Sequence, residues 1–96
     1  MRSHVTIAVV SSLLTALAAR AETIDIAELK CHELIRAYPA EFVVIDAWLS
    51  GYYHAKSNKT ELDRKQAAEN TRKVLQFCKA NPTVTVMQAI ERLKGG

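Results

Sequence analysis

The chain lacks most of the short motifs that indicate an enzyme. It has no glycine-rich loop for a phosphate, no CxxC pair or other zinc-ligand spacing, and no serine–histidine–aspartate set. Ser50 lies in Leu-Ser-Gly-Tyr, which is not a nucleophile elbow. Glu41 and Asp46 would lie about 140° apart around a helix, so they do not form an acid pair. We therefore predict a protein that is not an enzyme and that uses no cofactor and no metal.

Long apolar runs are also missing, except at the N-terminus. Residues 5–19 carry no charge, follow the basic Arg2 and precede small residues that are typical of a cleavage site. The run is shorter than the roughly 18 residues that identify a membrane-spanning helix. We predict a signal peptide over residues 1–21, cleaved after Ala21, and one exported domain over residues 22–96, without membrane insertion. An uncleaved anchor helix is the alternative.

The exported chain has no excess of one charge sign. The whole sequence has 13 Lys and Arg against 10 Asp and Glu, and two of the basic residues but no acidic residue lie in the predicted signal peptide. The remaining 11 basic and 10 acidic residues give a formal charge of +1, and the basic residues form no tract. Nucleic acid is therefore not an expected partner.

Cysteine is scarce, with only Cys31 and Cys78. Two cysteines in an exported chain indicate a disulfide and allow one pairing. A domain of 75 residues has a small core, and closing a loop of about 48 residues stabilises it by about 4 kcal/mol in the loop-entropy model. We predict a structural Cys31–Cys78 disulfide. Metal binding is the weaker alternative, because only His32 is near either cysteine.

The apolar periodicity predicts an all-α domain, a small bundle of three to four helices. A first helix would begin at a capping pair of Asp25 and Glu28. Pro39 would end this helix or open the next one. No strand-like alternation is present in residues 40–56, and these residues suit a second helix.

Two further helices follow a polar loop. The third would begin at Asp63, paired with Gln66, and end at Asn81-Pro82; the short fourth would begin at Thr85, paired with Gln88. The disulfide would then hold the first and third helices around a central second helix. The predicted inward-facing residues are Ala27, Cys31, Leu34, Ile35 and Tyr38 in the first helix and Ala67, Thr71, Val74, Leu75 and Cys78 in the third. The apolar residues of the fourth helix are Val86, Met87, Ala89, Ile90 and Leu93.

The second helix carries more apolar surface than a small core can cover. Residues 42–45 are all apolar, and at about 100° per residue they spread around most of the helix. At least one apolar stripe should reach the surface, where such patches mark interaction sites. A helix fully surrounded by the others is the alternative. The candidate residues for a dimer interface or a client-binding surface are Phe42, Val43, Val44, Ile45, Trp48, Leu49, Tyr52 and Tyr53.

Two segments stand out as sequence motifs. They are Trp48-Leu-Ser-Gly-Tyr-Tyr-His-Ala-Lys56, which follows a cysteine on a short helix, and Leu75-Gln-Phe-Cys-Lys-Ala-Asn-Pro82. Together they resemble the HdeA/HdeB family of small periplasmic acid-stress chaperones of Gram-negative bacteria. The resemblance extends from about Leu29 to Leu93 and is closer to the HdeB-like branch, because the loop after the second helix is short. It implies an all-helical fold with one disulfide, a homodimer at neutral pH and ATP-independent binding of unfolded periplasmic proteins.

Protons could switch such a protein, because ten carboxylates with reference pKa values near 4 lose their charge in acid. Asp46 interrupts the apolar run, and we name it as a candidate pH sensor. Its partner could be a basic residue such as Lys56 or Arg36 of either subunit; an ordinary solvent-facing acid is the alternative. We predict a periplasmic holdase. The alternative is a small envelope interaction protein or inhibitor that binds one specific partner through the same surface.

Overall fold

The computed structural model describes residues 23–95. The predicted signal peptide over residues 1–21 and its cleavage after Ala21 lie outside this part of the chain. The described part is all-α, as predicted, and none of its helices is long and apolar enough to cross a membrane. Its elements are a 3₁₀ turn at Ile26–Glu28 and helices α1 (Cys31–Ile35), α2 (Pro39–Lys56), α3 (Arg64–Ala80) and α4 (Val86–Leu93).

The predicted continuous first helix is wrong, because Leu29 and Lys30 are extended and separate the 3₁₀ turn from α1. The cause lies far along the chain. The backbone N–H of Cys31 donates to the carbonyl oxygen of Val84 (2.8 Å), and that of Val86 donates to the carbonyl oxygen of Leu29 (2.9 Å). These tertiary hydrogen bonds replace those of a helix, so the local apolar period does not decide the conformation.

The break also changes which side chains face inward. Only two of the five predicted inward-facing residues of this segment are buried. The buried residues are Ile26, Leu29, Cys31 and Leu34. The exposed residues, for which the prediction is wrong, are Ala27, Ile35 and Tyr38.

The starts of the remaining helices agree with the sequence analysis. Pro39 is the first residue of α2, where its missing N–H and fixed φ are tolerated. Asp63 accepts a hydrogen bond from the backbone N–H of Gln66 (3.0 Å), although the Gln66 side chain turns to Asn70 and leaves the reciprocal bond unformed. At α4 both bonds of the predicted cap are present: the backbone N–H of Thr85 donates to the side chain of Gln88, and the backbone N–H of Gln88 donates to the hydroxyl oxygen of Thr85.

Helix α2 ends in a Schellman motif. Ser57 is the C-cap, and Asn58 after it has φ 56°, in the left-handed region. The N–H of Asn58 donates to the carbonyl oxygen of Ala55 (3.1 Å), and the N–H of Lys59 donates to that of His54 (2.9 Å). These two bonds satisfy carbonyl groups that the helix end would otherwise leave without partners.

The core lies where α1, α3 and α4 meet. The predicted disulfide joins Cys31 to Cys78 with 4.8 Å between their Cα atoms, and both cysteines are fully buried beside Val86 and Ala89. Helix α2 adds only two buried side chains, Ile45 and Leu49. The prediction of a central α2 is therefore wrong. This helix packs on the other elements with one side and exposes the other.

Candidate interaction surface of helix α2

The eight candidate interface residues divide between two sides of α2. Ile45 and Leu49 are 2% and 5% exposed and belong to the core of the folded chain. Phe42 and Tyr53 are half-buried against this core. The other four side chains are exposed and form what we call the α2 stripe: Val43 (63%), Val44 (68%), Trp48 (47%) and Tyr52 (38%).

The α2 stripe has an ordered geometry. Val44, Trp48 and Tyr52 follow one another at intervals of four residues, so they lie on neighbouring turns of one side of the helix. The Trp48 and Tyr52 rings stack with their centroids 5.3 Å apart and their planes 9° apart. The stack holds two large aromatic rings against each other at the surface, where they are available to a partner with little loss of side-chain entropy.

Lysine ammonium groups lie over tyrosine rings at the C-terminal end of the α2 stripe. Lys56 Nζ is 5.2 Å from the ring centroid of Tyr52, and Lys94 Nζ is 4.7 Å from that of Tyr53. Both distances are in the range of cation–π attraction. Burial, followed by the charge of Glu91 and the neighbouring Tyr52, raises the pKa of Tyr53, which therefore stays neutral at acid and neutral pH.

Asp46 faces α3 and is half-buried. The Thr71 hydroxyl lies 3.1 Å from Asp46 Oδ1 and 3.3 Å from Oδ2, and it donates its one hydrogen to this carboxylate. The same oxygen is 3.0 Å from the carbonyl oxygen of Ala67. The bond joins residues 25 positions apart and ties α2 to α3.

The suggested basic partners of Asp46 are not found in the same chain. The salt bridge present in residues 23–95 joins Arg72 to Glu69 on α3, and Lys56 lies over tyrosine rings. A partner from a second subunit is not tested, and the role of Asp46 as a sensor stays a prediction. Sequence reasoning missed Thr71 as the partner, although it placed Thr71 on the inner face of α3.

A family model described as the HdeA/HdeB family matches residues 3–88. This chain belongs to the HdeA/HdeB family. The family is known for periplasmic acid-stress chaperones, and the match does not distinguish the HdeB-like branch. No curated protein and no solved structure matched the chain.

The part of this HdeA/HdeB family member that the family model matches contains the whole α2 stripe, both cysteines and Asp46. It reaches into α4 only as far as Gln88, so Lys94 lies beyond it. Lys94 is also a residue that sequence reasoning missed. The apolar period of α4 could have placed the end of this helix beside α2, but no local signal places the Lys94 ammonium group over Tyr53.

His32 and His54 are the histidines in the described part of the chain. His54 Nδ1 lies 2.7 Å from the carbonyl oxygen of Ser50, one turn earlier in α2, and donates to it in this arrangement. His32 is half-buried, and its backbone N–H donates to the carbonyl oxygen of Pro82 (3.0 Å). Between residues 23 and 95, His, Cys, Asp and Glu side chains nowhere form a group of three that could hold a metal ion.

Proposed function

We propose that this HdeA/HdeB family member is an ATP-independent acid-stress chaperone of the periplasm that holds acid-denatured proteins on the apolar surface of α2. The proposal rests on the α2 stripe. It places four apolar or aromatic side chains at the surface of a small domain, in a family known for acid-stress chaperones. Denatured proteins expose apolar side chains, and burial against the stripe removes both surfaces from water.

The proposed activation by acid rests on charge. The exported chain changes from a formal +1 to +13 when its ten carboxylates are neutral and both of its histidines are charged. Such self-repulsion destabilises compact and associated states. Arg72 lowers the pKa of Glu69 through a hydrogen bond, so this carboxylate holds its charge to lower pH than an unpaired one. The pair is exposed and contributes little to stability.

We further propose that a second copy covers the α2 stripe at neutral pH and that dissociation in acid frees it. Because α2 is attached to the core through Ile45 and Leu49, its release would add these two side chains to the client surface. Protonation of Asp46 is the proposed local trigger, since its carboxylate joins α2 to α3 through Thr71. The disulfide would keep α1 and α3 together during this change.

Light scattering tests the function. Several unrelated periplasmic proteins are acidified to about pH 2–4, where carboxylates lose their charge, with and without the purified protein. We expect broad suppression of scattering, and we expect Val44→Ser/Trp48→Ser to lose most of it. The exposed Gln76→Ser on α3 is the control and should protect like the wild type. Suppression for none of the proteins would instead favour a protein with one specific partner.

A further inference from the structure

A second candidate site lies between α2 and α3. The two helices follow one another in the chain, and the Asp46–Thr71 hydrogen bond joins them. Phe42 and Ser50 stand one turn to either side of Asp46 on α2, and Leu75 and Ala67 stand one turn to either side of Thr71 on α3. All four residues line a cleft of about 450 Å³, which α4 borders near its C-terminus. Clefts of roughly 300–1,000 Å³ commonly bind small molecules.

The cleft is elongated. Its lining extends along α2 from Phe42 to Ser57, which is about 22 Å at the rise of an α-helix. Both helices contribute apolar side chains to its walls, among them Leu49 and Val74. A long cleft with apolar side chains on both walls fits one unbranched hydrocarbon chain better than a compact ring system.

The charges that line the cleft are unevenly placed. Lys59 and Lys94 lie at the end near the α2–α3 loop, since the Lys59 N–H binds the carbonyl oxygen of His54 and Lys94 Nζ lies over Tyr53. Neither lysine forms a salt bridge within the part of the chain that the structure describes. A third lysine, Lys73, also lines the cleft, on α3 two residues after Thr71. Phe42 and Leu75, at the opposite end, are apolar.

Asp46 is the acidic side chain among the lining residues, and it is held midway along the cleft by Thr71. Its negative charge offsets the positive charge of Lys73 in this middle part of the cleft, whereas the end at Lys59 and Lys94 has two lysines and no acidic lining residue. An anionic group is therefore directed to Lys59 and Lys94, while an attached hydrocarbon chain follows the apolar walls.

We infer that this cleft binds a single-chain anionic amphiphile, such as a fatty acid, with its carboxylate at Lys59 and Lys94 and its chain between α2 and α3. This inference does not depend on client holding by the α2 stripe, because Val43, Val44, Trp48 and Tyr52 do not line the cleft.

Isothermal titration calorimetry with dodecanoate at pH 7, below its micelle-forming concentration, tests the inference on the purified protein. We expect one saturable site. Dodecyltrimethylammonium, which has the same chain and the opposite charge, should bind at least tenfold more weakly. Lys59→Gln/Lys94→Gln should weaken dodecanoate binding at least fivefold. Lys56→Gln, at the same end of α2 but outside the cleft, should leave it unchanged.

Variants that fill the cleft provide a second test of the inference. Ala67→Phe places a ring inside the cleft and should abolish binding, whereas Ala68→Phe, on the exposed side of the same helix, should not. Ser50→Phe fills the cleft from α2 if Ala67→Phe fails to fold. The absence of a saturable site, equal binding of the cationic amphiphile, or equal binding by Ala67→Phe, Ser50→Phe and Ala68→Phe would overturn the inference. A change of oligomeric state in Ala67→Phe would assign the cleft to a second copy and would also overturn it.

Discussion

At the scale of single residues, the half-buried Asp46 carboxylate joins α2 to α3 through the hydroxyl of Thr71. The acid interrupts an apolar run, and the sequence predicts an ion pair with a basic residue such as Lys56 or Arg36. The structure gives the carboxylate a neutral hydroxyl donor on the next helix instead. A hydroxyl has no charge to mark it in a sequence, so only the packing of α2 on α3 identifies Thr71.

Asp46→Asn tests the proposed trigger. Asparagine is uncharged at every pH, like the protonated acid, so we expect dimer dissociation or release of α2 to occur at higher pH and with a weaker pH dependence. Analytical ultracentrifugation and circular dichroism across a pH series measure the two events. Glu41→Gln, an exposed acid on the same helix, is the matched control. Equal midpoints for both variants would place the trigger elsewhere.

Thr71→Val tests the other partner of this hydrogen bond. The variant keeps the shape of the side chain but leaves a half-buried carboxylate without its donor. We expect the free energy of unfolding at pH 7 to fall by about 1–3 kcal/mol. Urea unfolding measures the loss, and Thr71→Ser, which keeps the hydroxyl, should recover most of it. A Thr71→Val protein as stable as the wild type would show that the bond contributes nothing.

At the scale of elements, α2 follows the sequence prediction in its bounds and not in its position. Pro39 and the Asn58 turn delimit the helix through local chemistry, which a sequence displays. Its packing depends on α1, α3 and α4, whose mutual contacts leave one side of α2 uncovered. The split of the predicted first helix has the same origin, because the segment around Val84 takes backbone groups that a longer helix would use.

Gly51 lies inside α2, and a Cβ atom built on it meets nothing within 4 Å. Gly51→Ala should therefore raise the free energy of unfolding by about 0.5–1 kcal/mol, because alanine loses less backbone entropy in a helix. Thermal unfolding followed by circular dichroism measures this gain. If Gly51→Ala is instead less stable than the wild type, a molecule outside the folded chain contacts the backbone at Gly51. Sedimentation would then show a changed oligomeric state.

Asn58 tests the C-terminal end of α2. Its φ of 56° disfavours residues with an ordinary Cβ, although asparagine tolerates this region better than most. Asn58→Ala should lower stability by about 1 kcal/mol, which corresponds to a fall in Tm of about 4–8 °C for a domain of this size. Asn58→Gly should equal or exceed the wild type. If alanine and glycine behave alike, the left-handed turn does not limit stability.

At the scale of the whole molecule, one covalent bond and a large change of charge act against each other in acid. The disulfide joins positions 47 apart and connects α1 with the end of α3 at the centre of the core. Protonation of the carboxylates removes the negative charges that balance the 11 basic residues of positions 22–96. The expected result is a chain that loosens without losing its connection between α1 and α3.

Cys31→Ser should lower the free energy of unfolding by about 2–5 kcal/mol, because the unfolded chain gains the entropy of an open loop. It should also impair the recovery of client protection after acid exposure. Urea unfolding and light scattering after neutralisation measure the two effects. Cys31→Ser/Cys78→Ser controls for the free thiol and should behave in the same way. Unchanged unfolding in both variants would contradict the structural role of the disulfide.

The sequence by itself determined the all-α class, the ends of α2 and α3, the start of α4, and the pairing of Cys31 with Cys78. Capping residues, proline and the apolar period act over one or two turns of chain, and two cysteines permit one bond. Only the tertiary structure decided that α2 lies at the side of the core, that Asp46 meets Thr71 and that Lys59 and Lys94 line one end of a cleft. These features depend on how distant helices pack, because a helix with apolar residues on every side has no single face that its sequence directs inward.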